Sequence, residues 1–299
     1  MADNPVIARN PYFKPQTTPN MGERSSSYGR YAQNEWESPN DQWGNPYGVP
    51  ASSPEYQRAQ QEAYARAGYG YQAPAVTMTY DDAMIKTFIL LGSAVAAGLL
   101  TVMLVPLTGL VAVAGISTIA AFVFGMIGSF QMMVKPWAAV GYAVLEGVAL
   151  GALTGAIDTF YPGVALQAVL ATAVVVAVAA GLHFSGKVRT TSKGNRVMMV
   201  MLLSAIVYSL INMVMNMFGS RGVDYAHIGG MPVGIVVGLV MIVVGAYMLI
   251  GDLEMVKFAV ANRAPAEFAW TVAFGLVMTV LWIYVEVLHT LAIFASDNN

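Results

Sequence analysis

Apolar residues in this chain gather into seven long runs, at roughly 84–105, 110–134, 137–159, 164–184, 197–218, 231–253 and 268–294. Each reaches the roughly 20 residues needed to cross about 30 Å of hydrocarbon at about 1.5 Å per residue. Packed in a water-soluble core, seven such helices in series would leave no polar face. Pro106, Pro136, Pro162, Pro232 and Pro265 all fall between the runs or at their edges. A helix tolerates proline at its ends, because an interior proline forfeits a hydrogen bond and clashes with the preceding turn. The pattern predicts an all-α fold: a polytopic membrane bundle of seven transmembrane helices over residues 81–299.

Residues 1–80 read differently. They hold no Leu, one Ile and 9 of the 14 Pro, with 12 aromatics that are mostly Tyr. With so little aliphatic surface to bury, ordering this segment is not offset by burial. It is expected to be a disordered Pro/Gly/Tyr/Gln-rich tail. It serves either as an arm that docks a partner or as a passive tether. No apolar run stands near Met1, so no secretory signal is expected there.

Composition narrows the class. Only 11% of residues are charged and 57% are hydrophobic, with a mean hydropathy of +0.58. Soluble domains run near 25% charged. Zero cysteines exclude a disulfide scaffold, thiol chemistry and any Cys-based metal site. A net charge of −2 speaks against a nucleic-acid partner. The basic residues are placed unevenly. The link between runs four and five carries Lys187, Arg189, Lys193 and Arg196, and the links after runs two and six carry Lys135, Lys257 and Arg263. The opposite links carry only Arg221 among basic residues. By the positive-inside rule the tail is cytoplasmic, and with seven spans the C-terminus lies outside. The expected location is a cell membrane, with the lipid bilayer as the first partner.

Ionisable groups inside a bilayer cost roughly 2.5–3.5 kcal/mol on insertion scales, so each is a functional candidate. Glu146 falls near the middle of the third run. It is either a protonated carboxyl bonded to a neighbouring helix or a transport site. Asp252 closes the sixth run, as a site or as an interfacial residue paired with Lys257 or Arg263. Glu286 lies in the seventh run, on a polar seam with Gly275, Thr279, Trp282, His289 and Thr290. Glu286 and His289, three apart, can touch; alternatively His289 simply sits among the outer headgroups. Ser209, Asn212 and Asn216 share a face of the fifth run and either glue helices together or line a wet cavity. Gly147, Gly151 and Gly155 in the third run, with Gly234 and Gly238 in the sixth, read as close-packing faces. The many methionines of the fifth run read as apolar filler. No P-loop, zinc-protease helix or serine elbow occurs, and His183, His227 and His289 are scattered, so no enzyme and no cofactor are expected.

Three segments carry a resemblance: Tyr142-Ala143-Val144-Leu145-Glu146-Gly147, Gly251-Asp252-Leu253, and Trp282-Ile283-Tyr284-Val285-Glu286-Val287-Leu288. In that order across seven spans they resemble the Bax inhibitor-1 family, in particular its bacterial YccA-like branch as found in actinobacteria. The Asn4-Pro5-Val6 start and the tail are similar to that branch too, and the resemblance covers about residues 77–295. It implies a pH-sensitive calcium or cation leak channel in a bacterial inner membrane. Two acids, one late in the sixth helix and one in the seventh, would pair when the channel is shut, and their titration would gate it. Asp252 and Glu286 take those positions by resemblance, as the pH gate and as the groups that would meet Ca²⁺ or protons. They can meet only if the sixth helix continues past Asp252 through Met255–Asn262. The resemblance also leaves open an adaptor role, in which the chain binds a membrane protease or another membrane-protein partner and transports nothing.

Overall fold

A computed structural model describes Arg58 and residues 76–219 and 222–297. The expectations for the tail up to residue 75, for Arg221 and for the last two residues lie outside the described residues. Seven helices follow: α1 Tyr80–Leu104, α2 Leu107–Phe130, α3 Pro136–Phe160, α4 Val164–Phe184, α5 Ser192–Met217, α6 Val233–Ala261 and α7 Phe268–Asp297. All seven are long and apolar enough to cross a membrane. Between α5 and α6 lie a 3₁₀ turn, Val223–Tyr225, and a two-residue hairpin of β1 His227–Ile228 and β2 Met231–Pro232. The chain is a multi-pass membrane protein whose apolar flanks contact lipid.

Local chemistry sets the helix ends. Thr79 opens α1 with a capping box: its hydroxyl accepts from the Asp82 amide while Asp82 accepts from the Thr79 amide. Asp158 accepts from the Gly163 and Ala165 amides, so a side chain on α3 caps the start of α4 across the turn. Gly163 has φ 91°, a left-handed turn that glycine adopts without strain. At the other end of α6, the Ala264 amide bonds the Ala259 carbonyl and the Arg263 amide bonds the Val260 carbonyl. This is a Schellman closure, with Arg263 at φ 52° in the place glycine usually takes.

Several element boundaries shift by three or more residues from the sequence expectation, and two of the shifts bear on the site. The sixth helix does not stop at 253; it runs on to Ala261, as a meeting with the seventh helix requires. The fifth starts at Ser192 rather than 197, capped by the Thr191 hydroxyl, so Lys193 and Arg196 ride on its first two turns. Residues 76–79, assigned to the tail by composition, are ordered. Thr77 bridges Pro265, the Met78 amide bonds Ala264, and the Val76 carbonyl receives the Ala266 amide.

The seventh helix is the hub. It packs on α6, α1, α4 and α3, and 61% of its most apolar stretch is buried, against 6% for α5. The α1–α3 contact is glycine-made. A Cβ on Gly147 would fall on the backbone of Ala94, and one on Gly151 on the backbone of Gly98. Contacts also define one end of the bundle. The α6–α7 link meets the chain before α1 and Lys86 of α1. The Val134 amide reaches Thr271, and Thr190 reaches Glu254. Lys135, Lys187, Arg189, Lys193, Arg196, Lys257 and Arg263 therefore share that end.

Candidate functional site

The site grows from the antiparallel seam between α6 and α7. Added Cβ atoms on Gly234, Gly238 and Gly245 would strike Ile293, Thr290 and Ile283 respectively. Those close approaches fix the register. The next position two turns along from Gly245 is Asp252, and there the register delivers Thr279. The Thr279 hydroxyl donates to Asp252 Oδ2 at 2.5 Å. Because α6 continues to Ala261, Asp252 lies nine residues inside its end, about 14 Å along the axis. It is therefore set well inside the helix rather than at its end.

Glu286 is half-buried and lies seven residues beyond Thr279 on α7, about 10 Å further along the helix. The structure thus gives Asp252 to Thr279 and leaves Glu286 two turns away, next to Trp282. Half of the seam read from sequence lies against α6. Thr279, Trp282 and Thr290 face α6, at Asp252, Gly245 and Gly238 in turn. His289 does not turn to Glu286. Its Nε2 lies 3.7 Å from Oδ2 of Asp224, in the 3₁₀ turn before α6.

Asp224 is the centre of a second polar cluster. It is buried, accepts from the Tyr208 hydroxyl at 2.5 Å and from the Asn212 amide at 3.3 Å, and its own amide donates to Asn212 Oδ1 at 3.3 Å. Asn212, the one buried residue of α5, is thus glue for the loop. Asn216 and Ser209 are exposed. Sequence reading passed over Asp224 because it lies in a connecting loop, outside every apolar run. Its spacing from Tyr208 and Asn212 across a helix end offered no motif.

A third set of contacts ties the basic link to α6. Glu254 accepts from both the amide and the hydroxyl of Thr190, and the Tyr247 hydroxyl accepts from the Thr191 amide at 2.9 Å. Tyr247, Gly251 and Glu254 form one face of α6, which places the link beside the Asp252 turn. Lys187, Arg189, Lys193 and Arg196 point outward and are exposed. Glu146 is half-buried about 15 Å into α3, one turn from buried Tyr142. Among the described residues, no three His, Asp or Glu side chains gather as a metal cage.

Seven apolar helices, with α7 packed on four of the others, acids set into the spans and one latched across the α6–α7 seam, define a polytopic helical membrane protein. A sequence model of the family described as Bax inhibitor 1 like matches residues 4–296, so the chain belongs to that family. The match takes in the tail as well as the bundle. Among curated proteins and among solved structures, none matches the chain.

Proposed function

We propose that the protein is a cation leak channel of a bacterial cell membrane, with Ca²⁺ as its leading cargo and the α6–α7 seam as its pH-dependent gate. The observation that carries this reading is the Asp252–Thr279 bond across the closely packed α6–α7 pair. An acid at this depth costs stability unless it is used, and its one hydroxyl latch is weak enough to exchange. Hard cations take carboxylate oxygens, so an arriving cation competes with Thr279 for Asp252. Proton uptake at Asp252 removes that competition. Flux therefore rises as the carboxylate ionises. Glu286 and Glu146 offer further oxygens in the spans. The reading is non-enzymatic. The cluster of basic links at one end supports a cytoplasmic position for that end and the tail, with the end of α7 outside.

The test is ion flux in proteoliposomes across pH with Ca²⁺, Na⁺ and K⁺. Asp252→Asn keeps an acceptor for Thr279 but removes the charge, so flux should lose its pH response. Glu286→Gln tests the second acid. If the two act as one gate through a shared proton, the double variant is no worse than either single; additive losses mean two separate sites. An unaltered pH profile in Asp252→Asn would overturn the gate.

The family match beginning at residue 4 favours a second reading, in which the tail recruits a membrane-protein partner. Deleting residues 1–75 separates the two. A channel keeps its flux, and an adaptor loses its partner.

A further inference from the structure

The α5–α6 loop is fastened to the end of α7 twice, and the two fastenings are reciprocal. In one, loop residue His227 meets Asp297 of α7, Nε2 to Oδ1 at 3.0 Å. In the other, His289 of α7 meets loop residue Asp224 at 3.7 Å. Both imidazoles are half exposed. The loop carries a tight hairpin, with Gly229 and Gly230 both left-handed at its tip. We propose that these two histidine–aspartate contacts form an acid-tightened clamp that fixes the α5–α6 loop to the end of α7.

The chemistry follows from the groups that face each histidine. His227 has Asp297. His289 has Asp224, which is held from α5 by neutral Tyr208 and Asn212 and senses the charge of Glu286 on α7. Arg221 lies outside the described residues. Among the described residues, the ionisable partner of each imidazole is a carboxylate. Histidine is the side chain that ordinarily changes charge between about pH 5 and 8. A protonated imidazole makes each histidine–carboxylate contact an ion pair, and both pull the same loop onto the same helix. Exposed pairs are individually weak, with a gain of roughly twofold to fivefold in the closed population each. Two acting together multiply, and the Asp224 pair is less exposed than the other. The clamp has a consequence for α5. That helix is little buried, and its fastening at this end runs through Asp224 to Tyr208 and Asn212. Loosening the loop loosens the end of α5. The inference is independent of the transport reading, since it concerns a different set of side chains and can be read without any flux.

The absence of cysteine makes the test direct. Spin labels are placed at Ile228→Cys on the hairpin and Phe160→Cys at the end of α3, both exposed and neither in the clamp. Electron–electron distances are then measured on the full chain in lipid nanodiscs at pH 5 and pH 8. One narrow distance distribution is expected at pH 5, with a broader component rising several-fold at pH 8. His227→Asn and His289→Asn should each raise the broad component at pH 5, and the double variant should abolish the pH response. If the double variant does not fold, the two singles decide. Identical distributions at the two pH values in the parent, or a full pH response in the histidine variants, would overturn the clamp.

Discussion

Replacing Thr279 by Val exchanges a hydroxyl for a methyl of nearly the same size and so isolates one hydrogen bond. In the native structure that hydroxyl donates to Asp252 at 2.5 Å. Valine leaves the Asp252 carboxyl part-buried without this donor. The cost of stranding a buried polar group is about 1–3 kcal/mol, more if it is charged. If the bond belongs to the shut arrangement alone, the whole cost falls on that state. The conducting population then rises about 5–150-fold. Thr279→Ser keeps the donor and should stay within about twofold of the parent. Thr290→Val is the steric control: its hydroxyl bonds the Glu286 carbonyl of its own helix at 2.7 Å and makes no bond to α6. The assay is initial Ca²⁺ entry into proteoliposomes holding an indicator, with thermal unfolding in parallel. The refuting result is a folded Thr279→Val protein whose flux matches both the parent and Thr290→Val. Asp252 would then be latched for structure alone.

Other outcomes follow from particular contacts. Gly151→Ala places a Cβ 2.5 Å from the Gly98 Cα, where ordinary contact begins at 3.4 Å, so α1 and α3 would have to part by about 0.9 Å. Overpacking of this kind costs about 1–3 kcal/mol, whereas Gly115→Ala meets open space and should be neutral or stabilising by up to about 1 kcal/mol; melting temperatures in detergent give the order, and equal losses at both sites would refute the seam. Arg263→Gly relieves a left-handed arginine and should raise stability by about 1 kcal/mol, read from the same melts. Glu254→Ala removes the acceptor of both Thr190 bonds and should make the 187–191 link more open to protease; unchanged cleavage would mean Tyr247 suffices. A single cysteine at Asp297 should react with an impermeant thiol reagent from outside intact cells, and reaction only after lysis would reverse the orientation.

How much of this was legible beforehand depends on which physical signal each feature leaves. Membrane spans announce themselves, because no other structure tolerates twenty apolar residues in a row. All seven were readable, and so were the glycine faces at Gly147–Gly151 and Gly234–Gly238. The end of α6 was not. Apolar content drops at Gly251-Asp252-Leu253-Glu254, so a hydropathy reading stops there. The helix is ended instead by a backbone closure around Arg263, and an arginine in glycine's place carries no stop signal. Partners across helices were harder still. Asp252 was readable as a buried acid, but which residue of α7 it meets depends on register. That register is set by where Gly238 and Gly245 let the helices touch. Counting from helix starts cannot supply it. Asp224 was missed because its burial comes from the fold of a short loop against Tyr208 and Asn212.

The seam supports the proposal that Asp252 is more than a packing residue. From Gly238 to Gly245 to Asp252 the contact face of α6 advances seven residues at a time, two helical turns with about 20° of drift. At the first two positions the absence of a side chain lets α7 approach until a single Cβ would clash. At the third, the same geometry must hold a carboxylate, and it does so with one hydroxyl. A leucine or another glycine there would bind the helices at least as well, since a buried polar contact rarely stabilises more than the apolar packing it displaces. A chain selected only for a tight bundle has no use for the acid. A chain in which α6 and α7 must part and rejoin has a use for a contact whose strength depends on protons and cations. Such a contact belongs at the point of the seam where the glycines no longer lock the helices together, and that is where Asp252 meets Thr279.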